Sequence, residues 1–277
     1  MPKTWLVTGA SSGLGLEMAR QLLAKGEKLV ATTRRSDTLS DLQQQYGESL
    51  DVVVLDLVDT AGIQTAIESV FKRHERIDVV VSNAGYGLFG AAEELTNAQI
   101  DQQIATNLTG SIHLIRAVLP HLRRQGGGRI LQVSSEGGQI AYPSFSLYHA
   151  TKWGIEGFVE SVAQEVAPFG ITFIIAEPGP TATNFGSNLV QADAMDVYAE
   201  TPAGDVRRMI NDGSFVLKGD ATRTVAAMIA AAESAAPPLR LTLGSTAYLS
   251  ITQALSTRLA ALGAQQDVAN AADRQDL

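Results

Sequence analysis

The chain of 277 residues contains no cysteine. Disulfides, thiolate nucleophiles and cysteine-ligated metals are therefore excluded, and the composition is compatible with a cytoplasmic protein. Aromatic residues are few, at 6%. No run of about 18 apolar residues occurs, and the first eight residues meet glycine too soon for a signal peptide, so a soluble protein is expected. Basic residues are the minority charge: 21 Lys and Arg against 29 Asp and Glu leave a net charge of −8 and a pI near 5.0. That balance disfavours nucleic acid and anionic membranes, which both reward basic surfaces. The four histidines, His74, His113, His121 and His149, are scattered without metal-ligand spacing. His149 adjoins Tyr148, but helical neighbours point apart, so it reads as a bystander.

What is present is an alternation. Short apolar runs at Trp5–Thr8, Leu29–Thr32, Val52–Leu55, Val79–Ser82, Ile130–Ser134, Thr172–Ala176 and Leu239–Leu243 are separated by helical patterns near 14–25, 60–74, 97–124, 147–167 and 220–235, with a shorter helix near 36–46. Such alternation argues for βαβ units and a parallel sheet. No linker tract or repeat divides the chain, so residues 1–245 read as a single catalytic domain. Residues 181–219 carry no clear period, and a loop of that length inside a compact domain reads as a lid. A helix is expected over 246–262, followed by a polar, frayed tail from 264 to 277.

Three motifs carry chemistry. After the first strand, Thr8-Gly9-Ala10-Ser11-Ser12-Gly13-Leu14-Gly15 opens a helix. Gly9 permits a tight turn, Gly13 lets backbone approach a pyrophosphate, and Gly15 allows close helix–strand packing. The helix N-terminus offers free amides to an anion. Further on, Tyr148 and Lys152 stand as Tyr-x-x-x-Lys within Ser146–Trp153. One helical turn apart, they share a face. A cation there is expected to favour the phenolate and lower a tyrosine pKa normally near 10. Alone, this pair is no more than a surface contact; the serine pair Ser134–Ser135 and the glycine loop make it a candidate general acid/base.

Taken together, in this order and with the spacing T-G-x-x-x-G-x-G, these motifs resemble the short-chain dehydrogenase/reductase family in its compact single-domain branch. The resemblance runs from about residue 3 to 183 and more loosely to about 245. It implies a doubly wound Rossmann-type fold, a parallel seven-stranded sheet with helices on both faces, and hydride transfer between a nicotinamide cofactor and a carbonyl or alcohol. By the same resemblance, Asp56-Leu57 hold the adenine ring and Ser82-Asn83-Ala84-Gly85 match the family's Asn-Asn-Ala-Gly beside the cofactor, with Ser82 a departure. Pro178-Gly179, Thr181 and Thr183 line the nicotinamide amide. Tyr148 and Lys152 are joined by Ser135, thirteen residues upstream, with Ser134 its rival, and by Asn107. Lys152 also binds the nicotinamide ribose, and Asn107 holds a water that links Lys152 to solvent.

The form of the cofactor is read at the end of the second strand. NAD sites place an acid there for the ribose hydroxyls, whereas this chain reads Thr32-Thr33-Arg34-Arg35. Guanidinium groups bind a 2′-phosphate by charge-assisted bonds, so NADP is expected and NAD disfavoured; a solvated Arg-Arg pair is the bland alternative. Asp37 lies past the strand, where it would cap the next helix or turn. Tyr86–Phe89, Gly137–Tyr142 and the lid residues Phe185, Met195, Tyr198 and Phe215 would wall an apolar pocket for a neutral, fairly hydrophobic ketone, aldehyde or secondary alcohol. A cofactor-sensing regulator on the same fold is the alternative from another class. The family further implies a homodimer or homotetramer through the helices bearing Asn107 and Tyr148, with Ala117, Val118, Leu122, Phe158, Val162 and Val166 as candidate apolar positions, which could equally pack inward.

Overall fold

The computed structural model describes residues 2–183, 185–186 and 188–274. Strands β1 (Thr4–Val7), β2 (Lys28–Thr33) and β3 (Leu50–Val54) alternate with helices α1 (Gly13–Ala24) and α2 (Ser40–Tyr46). Helix α3 (Thr60–Arg73) leads to β4 (Val79–Ser82). Then come α4 (Asn97–Ile104), α5 (Gly110–Arg124), β5 (Gly128–Val133), α6 (Ser146–Val166) and β6 (Ile171–Pro178). The chain closes with α7 (Pro202–Asn211), α8 (Ala221–Glu233), β7 (Arg240–Leu243), α9 (Ser245–Gly263) and α10 (Gln266–Ala271).

The main sheet is seven-stranded and parallel in the order β3-β2-β1-β4-β5-β6-β7. Alternate side chains of each strand point to opposite faces, and both faces are covered. Along β1, Leu6 enters one apolar layer with Ile63, Ile67, Leu114, Val118 and Val159 from α3, α5 and α6, while Trp5 and Val7 enter the other with Met18, Leu22, Val225 and Met228 from α1 and α8. The order reverses between β1 and β4, so a crevice opens there at the carboxyl ends of the strands. Polar caps delimit the helices that flank it. Asp59 accepts from the amide of Gly62 to start α3, Thr96 and Gln99 form a reciprocal box at α4, and Asp220 starts α8.

Three expectations need correction, and one open alternative is resolved. The helix expected over 97–124 is broken by a π-type turn, Ala105–Thr109, which contains Asn107. The aperiodic stretch 181–219 holds α7, announced by a Thr201 N-cap and Pro202 in the first turn, together with two small bridges: Thr181–Ala182 pairs with Gly219–Asp220, and Leu88–Phe89 with Val190–Gln191. The helix escapes a reading by periodicity because only Val206 and Ile210 mark its apolar face. The tail expected to fray instead forms α10, with residues 275–277 outside the described part; the alanines of Gln266–Ala271 are good helix formers. Of the candidate apolar positions, Ala117, Val118 and Leu122 pack inward, whereas Val162 and Val166 pack against the core and also line, with Phe158, Leu119 and Phe169, a groove of about 730 Å³ between α5 and α6. No helix among the described residues is long and apolar enough to cross a membrane.

The segment bearing α7 is fastened to the loop after Leu88–Phe89 by a buried ion pair. Glu94, its side chain wholly shielded, accepts from the amides of Ala91 and Met195 and pairs with Arg207. Burial alone would raise the Glu94 carboxyl, but the amides and the guanidinium hold it below its ordinary range. Replacing Arg207 by Met strands that charge, so stability should fall by about 3 kcal/mol in urea unfolding. The double change Glu94→Gln with Arg207→Met should recover most of the loss.

Candidate functional site

The crevice is built first by hydrogen bonds between the ends of β1 and β4. The Thr8 hydroxyl donates to the Val81 carbonyl at 3.2 Å and accepts from the amides of Asn83 and Ala84 at 3.0 and 3.1 Å. The Asn83 carboxamide donates to the carbonyls of Thr8 and Gly9 at 2.9 and 3.3 Å. Thr8 heads the glycine motif but had no role assigned from sequence, because its part is played by a hydroxyl that only the folded sheet brings to Asn83. The loop then turns through Gly9. At Gly15 an added Cβ would lie 2.3 Å from the Gly9 carbonyl, so helix and loop meet there without a side chain. Gly13 differs: its φ is +54° and an added Cβ would meet nothing within 4 Å. Its backbone faces open space at the start of α1. Ser12 is the N-cap but makes no side-chain cap bond, and no acid stands in the first turn, so these amides suit an anion. Exposed Ser11 and half-buried Leu14 complete the loop.

At one end of the crevice lie Asp56, exposed and accepting from the Val58 amide at 3.1 Å, and Leu57, buried. Nearby, at the end of β2, the two arginines differ. Arg35 holds Asp37 through two bonds of 3.1 and 2.7 Å, so Asp37 pairs with arginine instead of capping a helix or turn. Arg34 is exposed, and its side chain makes no hydrogen bond or ion pair among the described residues. At the other end, the Gly179 amide donates to Leu243 at 3.0 Å, and Thr181 Oγ1 donates to the Gly179 carbonyl at 2.8 Å. Thr183 Oγ1 accepts from the Phe185 amide, and Pro178 ends β6. These residues, with the open amides of α1, fit an extended dinucleotide laid across the strand ends.

Tyr148 and Lys152 rise one turn apart from the buried face of α6, and both are under a tenth exposed. Lys152 Nζ donates to the Val133 carbonyl at 2.9 Å and sits 5.5 Å from the centre of the Tyr148 ring. Ser135 N-caps a short turn: its Oγ accepts from the Gly137 amide at 3.1 Å, which leaves its own proton free to donate. Ser134 is occupied, donating to Glu156 in a cluster with Gln139 and Arg240. Ser135, not Ser134, is therefore the serine facing Tyr148.

The expected fall in the tyrosine pKa is not what the environment produces. Burial pushes the Tyr148 phenol up to about 12, opposed by a hydrogen bond with Ser135 and reinforced by the charge of Glu136. Burial pushes Lys152 down to about 8, opposed by Glu156. For both groups desolvation of the charged form is the largest effect. At neutral pH the phenol thus holds its proton, the state that a proton donor needs.

Asn107 is buried in the π-type turn, with both ends of its carboxamide on one residue. Oδ1 accepts from the Tyr86 amide at 3.1 Å, and Nδ2 donates to the Tyr86 carbonyl at 2.8 Å. Gly85 lets it approach, since an added Cβ would come within 3.2 Å of Oδ1; Ala84 packs between this turn and the core.

The wall around Tyr148 is apolar. Phe145 and Phe185 lie 6.2 and 5.7 Å from its ring, Tyr142 stacks edge-on against Phe145 and His149, and Phe89, Val206, Leu189 and Ile210 complete the cluster. Val206 and Ile210 replace the expected Met195 and Tyr198; the latter donates to Glu93 instead. His149 is buried, burial lowers it to about 4, and its Nε2 has no partner among the described residues.

The helix expected over 246–262 is α9, but its contacts with the site were not read from the sequence. Ser250 donates to Glu136 at 2.8 Å, an added Cβ on Gly179 would lie 3.1 Å from the Ala247 amide, and Arg258 donates to the Gln139 carbonyl. The helix thus braces both the Ser135 turn and the Gly179 segment. Such contacts join residues 68 to 119 positions apart and leave no local signal.

Lys152 offers a pH test. Its pKa in the fold is below its unfolded value, so between pH 8 and 10.5 the unfolded chain binds the extra proton, and stability contributed here rises with pH. Lys152→Met should accordingly be more stable than wild type at pH 7, by up to about 3 kcal/mol. That gain should vanish by pH 10.5 in denaturant titrations at each pH.

The short chain dehydrogenase family profile matches residues 3–194. The chain is 35% identical over 248 residues to Oxidoreductase BOA17 of Botryotinia fuckeliana, covering 89% of this chain and 90% of that one. It is 34% identical over 188 residues to a 3-ketodihydrosphingosine reductase of Bacteroides thetaiotaomicron, covering 68% and 67%. A short-chain dehydrogenase from Streptomyces avermitilis, solved by crystallography, shares 36% identity and superposes with a TM-score of 0.90 over 98% of each chain. With its seven-stranded parallel Rossmann-type sheet and its glycine loop at the strand reversal, the chain belongs to the short-chain dehydrogenase/reductase family of oxidoreductases.

Proposed function

We propose that the protein is an NADP(H)-dependent oxidoreductase that interconverts a ketone or aldehyde and an alcohol on a neutral, fairly hydrophobic substrate. The observation that carries this reading is the buried Tyr148 phenol, one turn from Lys152 and hydrogen-bonded with Ser135, whose Oγ accepts from the Gly137 amide. A nicotinamide bound across the crevice supplies the hydride. As charge develops on the substrate oxygen, Tyr148 donates the proton and Ser135 a stabilising hydrogen bond. Lys152 holds the nicotinamide ribose and restores the proton to Tyr148. Asn107 serves a water on that proton route; because Tyr86 takes both ends of its carboxamide in one plane, the contact falls to a remaining lone pair or to its backbone carbonyl.

The glycine loop residues hold the pyrophosphate; Asp56 and Leu57 the adenine; Asn83, Ala84 and Gly85 the central strand end; and Pro178, Gly179, Thr181 and Thr183 the nicotinamide amide. For the 2′-phosphate the reading narrows to Arg34, since Arg35 is engaged by Asp37. The apolar ring of Phe89, Phe145, Tyr142, Phe185 and Val206 favours a hydrophobic carbonyl compound, in keeping with a relative named as a keto reductase. Residues 181–219 act as the lid, held shut through Glu94 and Arg207. A homodimer or homotetramer through the α5–α6 groove and a cytoplasmic location complete the proposal.

Oxidation of NADPH in the presence of a panel of carbonyl compounds tests the reaction; no turnover with any of them would favour a sensing role. The ratio of kcat/KM with NADPH to that with NADH should exceed tenfold and collapse in Arg34→Ala, as the loss of a charge-assisted bond of about 1.5–3 kcal/mol requires. Equal use of both cofactors by the wild type would refute the assignment.

Tyr148→Phe keeps the ring packed against Phe145 and Phe185 but removes the proton. Reduction should slow by roughly 10²–10⁴-fold, with NADPH affinity, followed by fluorescence, little changed. Near wild-type turnover would move the proton's source elsewhere.

A further inference from the structure

Beyond its contacts with the catalytic loops, α9 does something no buried helix does. Ala247 and Ile251 are buried and Ala254 is half-buried, but every described residue from Leu255 to Arg274 is exposed. The last turns of α9 and the whole of α10 therefore project from the body. A helix this short is marginal in water on its own, and helices in proteins are stabilised by packing an apolar face.

The exposed face is apolar and regularly spaced. Tyr248, Leu255, Leu259 and Leu262 are 65, 50, 70 and 66% exposed, and with Thr252 they recur at intervals of four, three, four and three. That is the a/d seam by which one helix meets another. Leu249 flanks it, 66% exposed. With Val268, these side chains present an area on the order of 700 Å², above the largest patch of an ordinary monomer and close to the ~800 Å² per partner of a standard interface. The one charged residue of α9 is Arg258, and it is engaged within the chain, over the Trp153 ring at 4.9 Å and on the Gln139 carbonyl. No cationic row lies along the seam to hold anionic lipid, and the chain carries −8 overall.

We propose that this seam is an interface between copies of the chain, with α9 packed antiparallel against α9 of a second copy. A two-fold axis near Leu255, the midpoint of the seam, sets Tyr248 against the partner's Leu262 and Thr252 against the partner's Leu259. The patch is self-complementary, as an isologous contact requires. It lies apart from the α5–α6 groove, so two such dyads on one chain close a tetramer. The inference does not rest on the catalytic reading.

Sedimentation velocity over a range of concentrations tests it. Leu255→Glu with Leu259→Glu alters only exposed positions and should halve the assembled mass relative to wild type. Phe158→Glu reports separately on the α5–α6 groove. Because the chain has no native cysteine, Leu255→Cys should oxidise to a covalent dimer, whereas Thr65→Cys on α3 should not. An unchanged mass in the double variant, or no cross-link at Leu255, would overturn the proposal. So would flotation of the wild type with phosphatidylcholine vesicles that the double variant loses without a change in mass, which would assign the seam to a lipid surface.

Discussion

The hydroxyl of Thr8 holds the site together. It bridges β1 and β4 where the strand order reverses, tying the Val81 carbonyl to the amides of Asn83 and Ala84. That junction fixes the width of the crevice and the start of the glycine loop, and it leads straight into Gly85 and Tyr86, on which Asn107 is anchored. A neutral side chain suits the task. The groups it satisfies are backbone donors and acceptors that a parallel sheet leaves unpaired where adjacent strands diverge, and a buried unpaired amide costs about as much as a lost hydrogen bond.

Around that frame the chain tolerates unfavourable burial. Tyr148, Lys152, Glu136 and Glu156 are all nearly inaccessible, and desolvation dominates both the phenol and the ammonium. Stability alone would favour apolar groups at such positions. A protonated phenol and a lysine near the pH at which it releases its proton are what the proposed proton relay would need. The carboxylates are held by Ser134, Gln139, Arg240 and Ser250, so the opposing charges are placed by hydrogen bonds rather than by chance. Burial thus does to Tyr148 the reverse of what a lysine one turn away does in water.

Two additions sit outside the doubly wound core. The Glu94–Arg207 pair fastens α7 over the aromatic cluster. Helix α9 lies wholly beyond the segment that the family profile matches, yet it reaches the turn of Ser135 and the Gly179 segment through Ser250 and Ala247. Its outer face bears the exposed seam. On the proposed pairing, one helix would carry both an interface between copies and the brace of the Ser135 turn.

The amino-acid sequence determined the elements and the loop chemistry. Apolar runs of four or five residues, Gly13 and Gly15 at a strand–helix junction, Tyr148 one turn before Lys152, and Arg34-Arg35 after a second strand that lacks the acid of NAD sites are all local, because backbone conformation and helical spacing act over a few residues. Those readings placed all seven strands and most helices. Only the tertiary structure decided what depends on distant partners. It separated Ser135 from Ser134 through Glu156, bound Arg35 to Asp37 and left Arg34 exposed, and turned the valines of α5 and α6 inward. It also set the Asn107 carboxamide on Tyr86 and brought Ser250 to Glu136. It reversed the expected direction of the Tyr148 shift as well, because desolvation is a property of everything packed around a group, and no spacing along the chain records it.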